Sequence, residues 1–330
     1  MSSTSVPFDP VHDAAAADSA RLASTNAGST FHPLASSAFT TSGGSGLYDR
    51  ARPSYPSEAL NLIFAALKRS TESNTAVPNR LNVLELGAGT GIFSRLLVSP
   101  PDGVDTQSTE ISKLVAVEPA SGMRAGFKSG MAGIGAPTGE TGPNGDEKVQ
   151  VIDGTFDNIP VPDGWADAVV IAQAFHWSHG HYESTLRSLA RVLRPQAPLI
   201  LLWNLEDRLL PDIHPWVPKI RDIYEAHEKE TPQYRLMWWK AIFDLQEFKE
   251  GFDPDYQYSE VKRVLPTTVQ GVVDRVVSKS YITDLGDEDR ANVENGVKDV
   301  LKNEKKKWID EANGVFEYPY ATDLYVIWRK

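Results

Sequence analysis

Two hydrophobic rhythms alternate along the first two thirds of this chain. Leu81–Gly87 is a nearly continuous apolar run stopped by glycine, which predicts a buried strand, and a helical spacing follows through Leu97. Lys113–Glu118 predicts a second strand and leads into a short helix from about Ser121. Lys148–Ile152 and Asp167–Gln173 predict a third and a fourth. Tyr182, Leu186, Leu189 and Leu193 then fall on one helical face, ended by Arg194-Pro195, and Pro198–Asn204 predicts a fifth strand. Ahead of this series Ser57 caps a helix striped by Leu60, Ile63, Phe64 and Leu67. Strands and helices in strict alternation predict an α/β fold, a parallel sheet with helices on both faces. Two polar stretches, Pro100–Ser112 and Ser129–Glu147, read as surface loops.

The remainder keeps a different rhythm. Residues 214–250 read as helical, with an apolar stripe of Tyr234, Met237, Trp238, Ala241, Ile242, Leu245 and Phe248. Tyr258–Leu265 reads as a strand, Thr267 or Thr268 as the cap of a valine-rich helix, Asp287 to Trp308 as a further helix, and Asp323–Arg329 as a last strand. Four regions follow: a Ser/Thr/Ala/Gly-rich arm over 1–46, a core over 47–204, a helical cap over 205–255, and strands and helices over 256–330 that complete the sheet.

Composition narrows the chemistry. Cysteine is absent from all 330 residues, so thiolate metal sites, disulfides and cysteine nucleophiles are excluded. The 33 basic and 44 acidic residues give a net charge of −11, which disfavours general nucleic-acid binding. No apolar run approaches the roughly 18 residues of a spanning helix. The N-terminus lacks a basic stretch followed by an apolar one, so a cytoplasmic location without membrane attachment is expected.

The sharpest local signal is Val83-Leu-Glu-Leu-Gly-Ala-Gly-Thr-Gly91, a strand entering a glycine turn ahead of a helix. Such a turn lets backbone approach a ligand closely. The dinucleotide spacing G-x-G-x-x-G would need glycine at position 92, which is Ile92, and Glu85 precedes the first glycine by two residues. A carboxylate there repels a pyrophosphate but suits S-adenosylmethionine, which carries an ammonium and a sulfonium and no phosphate. Glu118, ending the second strand, can accept hydrogen bonds from both hydroxyls of a ribose. Met123, five residues on, can lie against a purine.

With these pieces the chain resembles the class I S-adenosylmethionine-dependent methyltransferases. The resemblance rests on Glu85-Leu-Gly-Ala-Gly-Thr-Gly91, Val117-Glu-Pro-Ala-Ser-Gly-Met123, Gly154-Thr-Phe-Asp-Asn-Ile-Pro160 and Arg191-Val-Leu-Arg-Pro195. Within that class it is similar to the trans-aconitate methyltransferase-like (type 11) branch, through Tyr48-x-x-x-Arg-Pro-x-Tyr-Pro56, Ala172-Gln-Ala-Phe-His-Trp177 and Ser278-x-Ser-Tyr-Ile282. The resemblance implies a Rossmann-like, mostly parallel sheet of seven strands with a terminal antiparallel strand and a helical cap. It also implies S-adenosylmethionine as cofactor, S-adenosylhomocysteine as product, and no metal. Gly87, Ala88, Gly89 and Gly91 would line the cofactor, and Glu118 with Pro119 would hold the ribose. Glu85 would act near the methionine end, Met123 would flank adenine, and Gln173 and Ala174 would border the methionine moiety. The family often has Asp where this chain has Thr155, which leaves adenine to Thr155, Phe156 and backbone groups. Tyr48 or Arg52 would reach the cofactor carboxylate.

The acceptor end is read from Phe175-His-Trp177, just past the fourth strand, because ligands of open α/β sheets bind beyond the carboxyl ends of the strands. His176 and Trp177 are the candidates to meet the acceptor, His176 as a proton acceptor or as a structural residue. His176, His179 and His181 lack the further ligands a metal site needs. Trp203, Trp238 and Trp239 are candidate pocket walls, and Arg208, Arg235 and Lys240 candidate cations for an acidic acceptor. The expected reaction moves a methyl group to an oxygen of a small molecule, a carboxylate by family resemblance. Transfer to another oxygen, nitrogen or sulfur, and cofactor binding without turnover, stay open as alternatives.

Overall fold

A computed structural model describes residues 42–73, 80–107, 109–207, 209–228 and 231–330. The expected alternation is present. Strands β1 (Arg80–Leu86), β2 (Glu110–Val117), β3 (Thr138–Gly139), β4 (Val149–Ile152), β5 (Ala168–Ala172) and β6 (Pro198–Glu206) run parallel. Strand β9 (Val315–Trp328) pairs antiparallel with β6 and with β7 (Gln257–Thr267), giving the order β3-β4-β2-β1-β5-β6-β9-β7. Seven of these are the seven expected strands. Two short ones extend the sheet: β3 beside β4, and β8 (Trp308–Asp310) beside β9.

Alternate residues of each central strand serve opposite faces. Leu84, Leu86, Val169, Ile171, Leu199 and Leu201 meet the helix α5 (Tyr182–Val192) in one buried layer. Val83, Ala168, Val170, Ile200 and Leu202 meet Leu60, Ile63, Phe64 and Leu67 of α2 (Ser57–Ser73) in the other. The helices α3 (Ile92–Val98) and α4 (Ser121–Gly133) add Phe93 and Phe127 to that second layer.

A third apolar cluster lies under the second half of the chain. It joins α6 (Trp216–Glu225), α8 (Val269–Val277), α9 (Ser280–Thr283) and α10 (Asp287–Asn303) to Phe316, Tyr318 and Tyr320 of β9. Thr268 is the α8 cap, its hydroxyl accepting the Gly271 N–H at 3.2 Å.

Several expectations are corrected. Helix α1 (Ser42–Ala51) begins inside the segment read as an arm ending at residue 46, and residues 1–41 lie outside the described residues. The stretch 129–147 is not all loop, because α4 runs to Gly133 and β3 follows. The segment 214–250 is not one long helical stretch. It comprises α6, short 3-10 turns at Tyr234–Leu236 and Trp238–Asp244, and α7 (Gln246–Gly251), interrupted where Met237 adopts a left-handed φ of 56°. Helix α10 stops at Asn303, so Trp308 and the preceding lysines lie beyond it, and the last strand is 14 residues long and begins at Val315.

Candidate active site

The end of β1 sets the site. Gly87 has φ 66°, and a Cβ there would sit 2.6 Å from the Ala174 Cβ, so glycine alone fits this turn. Gly91, the residue before α3, has φ 79°, and its Cβ would stand 2.7 Å from the Phe127 ring. The Gly87 N–H donates to the Val117 carbonyl at 2.8 Å, which ties the turn to the end of β2.

Two carboxyl groups face the cavity this turn encloses. Glu118 accepts the Gly89 N–H and the Ala120 N–H, each at 2.9 Å, one on each oxygen. Each oxygen thus retains acceptor capacity for a ligand's hydroxyls. Burial raises its carboxyl above the ordinary range, opposed by those two backbone bonds. Glu85 is almost fully buried and accepts the Ser94 hydroxyl. Burial pushes its carboxyl up to about 8, against the Ser94 hydrogen bond and Arg95.

The cavity spans about 1040 Å³ including its mouth, the scale of a small-molecule site. Tyr48, Arg52, Gly87, Ala88, Gly89, Pro119, Met123, Thr155, Phe156, Gln173, Ala174 and Trp177 line it with the two acids, so the structure brings together nearly all the residues expected at the cofactor. Gly91 shapes the turn from below and is not among the lining residues. Thr155 donates its hydroxyl to Asp157 at 2.7 Å. Tyr55, Pro53 and Phe93 also line it and were missed individually, although Pro53 and Tyr55 belong to the 48–56 motif that flagged Tyr48 and Arg52.

The donor set fits S-adenosylmethionine. A glycine cradle, a carboxylate with spare acceptor capacity at the end of β2, and a buried acid for an ammonium are all present. Among the described residues no group of three or more His, Asp or Glu is arranged to hold a metal ion.

Gln173 holds a left-handed φ of 60° at the end of β5, a strained conformation for a non-glycine residue. Its Nε2 donates to the Asn204 carbonyl at 2.7 Å. Gln173, Tyr48, Arg52 and Trp177 also line a second, more polar cavity of about 690 Å³. His176 and Arg235 belong to that second cavity. The Trp203 indole N–H donates to His176 Nδ1 at 3.2 Å in the buried interior. In a neutral imidazole that contact puts the ring proton on Nε2, so His176 is wired as a donor through Nε2 and its basic nitrogen is engaged. Of the two roles expected of His176, the Trp203 contact leaves Nδ1 engaged in the interior.

The tryptophan reading is also corrected. Trp203 and Trp239 are core residues, their rings tilted against each other at 4.9 Å, with Tyr234 stacked on Trp203 and Tyr325 edge-on to Trp239. Trp238 lies against His179, ring centres 4.9 Å apart. None of the three lines either cavity. Lys240 lines neither, and Arg208 lies outside the described residues.

The second cavity carries two charges the sequence flagged, Arg52 and Arg235, and six it did not. Arg52, Arg221, Arg235, Arg275 and Lys279 face Glu206, Glu225 and Glu228. Arg221 pairs with Glu225 at 2.6 Å, and Arg235 pairs with Glu228. Glu206 is shared by Arg275 at 2.9 Å and Lys279 at 3.1 Å. Arg52 donates to the Ser278 carbonyl at 2.9 Å, lies 4.5 Å from the Tyr48 ring centre, and leaves its buried Nε unpaired. A signal did exist: Arg275 lies within the valine-rich helical segment, Lys279 lies just past it, and Glu206 ends an apolar strand.

Residues 84–201 match the family described as a methyltransferase domain. An uncharacterized methyltransferase of Mycobacterium tuberculosis is 30% identical over 236 residues, spanning 72% of this chain and 74% of that protein. An uncharacterized methyltransferase-like protein of Schizosaccharomyces pombe is 29% identical over 200 residues, 59% of this chain and 62% of its own length. A solved structure from Anaeromyxobacter dehalogenans, provisionally assigned as a type II methyltransferase, superposes with a TM-score of 0.50 at 16% identity. It covers 84% of this chain and 97% of that one, which speaks to the fold.

Proposed function

The chain belongs to the S-adenosylmethionine-dependent methyltransferase family, and from that premise we propose that it methylates an oxygen of a small organic acid, its carboxylate, in the second cavity. The observation that carries this reading is the composition of that cavity. It adjoins the glycine-turn cavity through Gln173, Tyr48, Arg52 and Trp177, and its cations outnumber its carboxylates. The similarity of three sequence motifs to the trans-aconitate methyltransferase-like branch supports the same acceptor class.

The bound S-adenosylmethionine supplies a methyl group on a sulfonium sulfur. Glu118 would accept the ribose hydroxyls, Glu85 would face the ammonium, Met123, Thr155 and Phe156 would border adenine, and Gln173 with Ala174 the methionine chain. Arg52 and Tyr48 stand between the two cavities. His176 donates through Nε2, which suits an anionic oxygen. A carboxylate is already ionised at neutral pH and needs no base. Alignment and exclusion of water are then the remaining requirements. No nucleic acid, metal or membrane enters this reading, and the location it assumes is cytoplasmic. In the described residues no helix is long and apolar enough to cross a membrane.

The test is S-adenosylhomocysteine formation with separate panels of carboxylic acids, alcohols, amines and thiols. Turnover confined to the acids is expected. Turnover with amines or thiols alone would replace this reading, and binding with no turnover on any panel would favour a non-catalytic role.

A further inference from the structure

The charges around Glu206 do not balance. Two of the five cations in the second cavity have a carboxylate partner of their own, as described above. Among the described residues the other three, Arg52, Arg275 and Lys279, have Glu206 as their one ion-paired carboxylate, and Glu206 is fully enclosed between Arg275 and Lys279. Burying surplus positive charge is costly unless an anion arrives to meet it.

We propose that Lys279 is the specificity-determining anchor of the acceptor site, holding the acid as an ammonium and losing its hold when the acid becomes a neutral ester. This rests on the reading of the second cavity as a carboxylate site. The geometry singles out Lys279 from its neighbours. Its Nζ lies 3.1 and 3.5 Å from the two Glu206 oxygens and 4.0 Å from the centre of the Tyr224 ring. Arg275 and Arg52 on the same cavity wall act against its charge, and Glu228, also on that wall, acts in favour of it.

The directions of the protonation equilibria agree with that arrangement. Glu206 is held far below the carboxylate range by Arg275, Lys279 and Arg221, which more than offset burial. Arg275 is held above its ordinary value, chiefly by Glu206, despite burial. Burial and the Arg275 charge lower both Arg52 and Lys279, and they bring Lys279 down to about 7, against Glu206. Glu206 and Arg275 thus form the permanent pair, and Lys279 is the cation whose charge depends on what else is in the cavity.

A carboxylate entering the cavity restores the lysine's charge, and above pH 7 it must bring a proton with it. Methylation removes the negative charge, the surplus cation is exposed again, and Lys279 sheds the proton. The same group therefore admits the acid and rejects its ester.

The test uses the full chain saturated with S-adenosylhomocysteine and a set of acids (acetate to hexanoate, succinate to adipate, benzoate) with their methyl esters. Affinity is measured by calorimetry at pH 6, 7, 8 and 9, in two buffers of different ionisation heat. Acids are expected to bind with affinity falling up to tenfold per pH unit above 7, taking up a proton, while the esters bind at least tenfold more weakly. Lys279→Arg, with its charge fixed, should bind the acids without the fall and without proton uptake. Lys279→Met should bind acids and esters alike. Thermal melting of each variant without ligand identifies one that is merely unfolded, and the wild-type pH dependence stands without them. Acids bound equally at all four pH values, or esters bound as tightly as acids, would overturn the proposal and leave the carboxylate reading intact. Acid binding with the predicted pH dependence, but methylation found on another class of molecule, would overturn that reading and keep Lys279. No binding of any acid at pH 6 would overturn both.

Discussion

At the scale of single residues, Glu85 is where stability and function oppose each other most clearly. Its carboxyl is raised to about 8 in the folded chain, from an ordinary value near 4.5. Between those two pH values the unfolded chain is ionised at this position and the folded chain is protonated. The folded state is therefore favoured at low pH, and stability is lost as pH rises through 8, at about 1.4 kcal/mol per unit. Glu85→Gln removes that dependence. The variant should equal the wild type near pH 5 and exceed it by several kcal/mol at pH 8 in urea unfolding, while losing most of its affinity for S-adenosylhomocysteine. Parallel stability curves for the two proteins would show that Glu85 is ionised in the folded state. His176 makes a second residue-scale prediction. In the proposed reading its Nε2 side meets the acceptor, with Trp203 donating to Nδ1. His176→Ala should lower turnover by roughly 1.5–3 kcal/mol, about ten- to hundredfold, and leave S-adenosylhomocysteine affinity unchanged. Equal loss of both would mark His176 as a support of the fold.

At the scale of elements, the turn between β1 and α3 depends on a missing side chain. Gly87→Ala puts a methyl group against Ala174 and forces a left-handed conformation costing about 1–2 kcal/mol. Melting temperature should fall slightly, and stabilisation by S-adenosylhomocysteine should disappear. Retained stabilisation would mean that the ligand does not approach this turn. The same element shows what sequence can convey. β1, the glycine turn and Glu118 are legible because one short segment carries both the backbone requirement and the chemistry. The central strands are legible because each is buried on both faces and bounded by glycine, proline or charge. The segment from 214 to 250 is less so. Its apolar positions fit a helix, yet Met237 in the left-handed region and short 3-10 turns break it, and its tryptophans fill the core. An apolar stripe gives burial, but not whether a residue faces a cavity or a neighbouring side chain. The second cavity was hardest to read, because Arg52, Glu206, Arg221 and Lys279 come from four separate parts of the chain and meet only in three dimensions.

At the scale of the whole molecule, the net charge of −11 would oppose the proposed acidic acceptor until it reached the cationic cavity. Salt screens charge over about 30 Å at 0.01 M and 8 Å at 0.15 M, whereas the buried pairs within the cavity are screened far less. Raising ionic strength across that range should therefore increase kcat/KM for an acidic acceptor. A strong decrease would mean that long-range attraction by the cavity outweighs the repulsion of the surface. The absence of cysteine limits the chain to direct transfer without a thiol relay. Two cavities sharing Gln173, Arg52, Tyr48 and Trp177 suit such a transfer, because the methyl group has only their common wall to cross.

That claim is tested most directly by following the methyl group itself. The protein is incubated with methyl-labelled S-adenosylmethionine and the acids on which it turns over, and the product is treated with mild alkali before mass spectrometry. The account predicts label in an alkali-labile methyl ester, released as labelled methanol. Label that survives alkali on nitrogen, sulfur or an ether oxygen would contradict it.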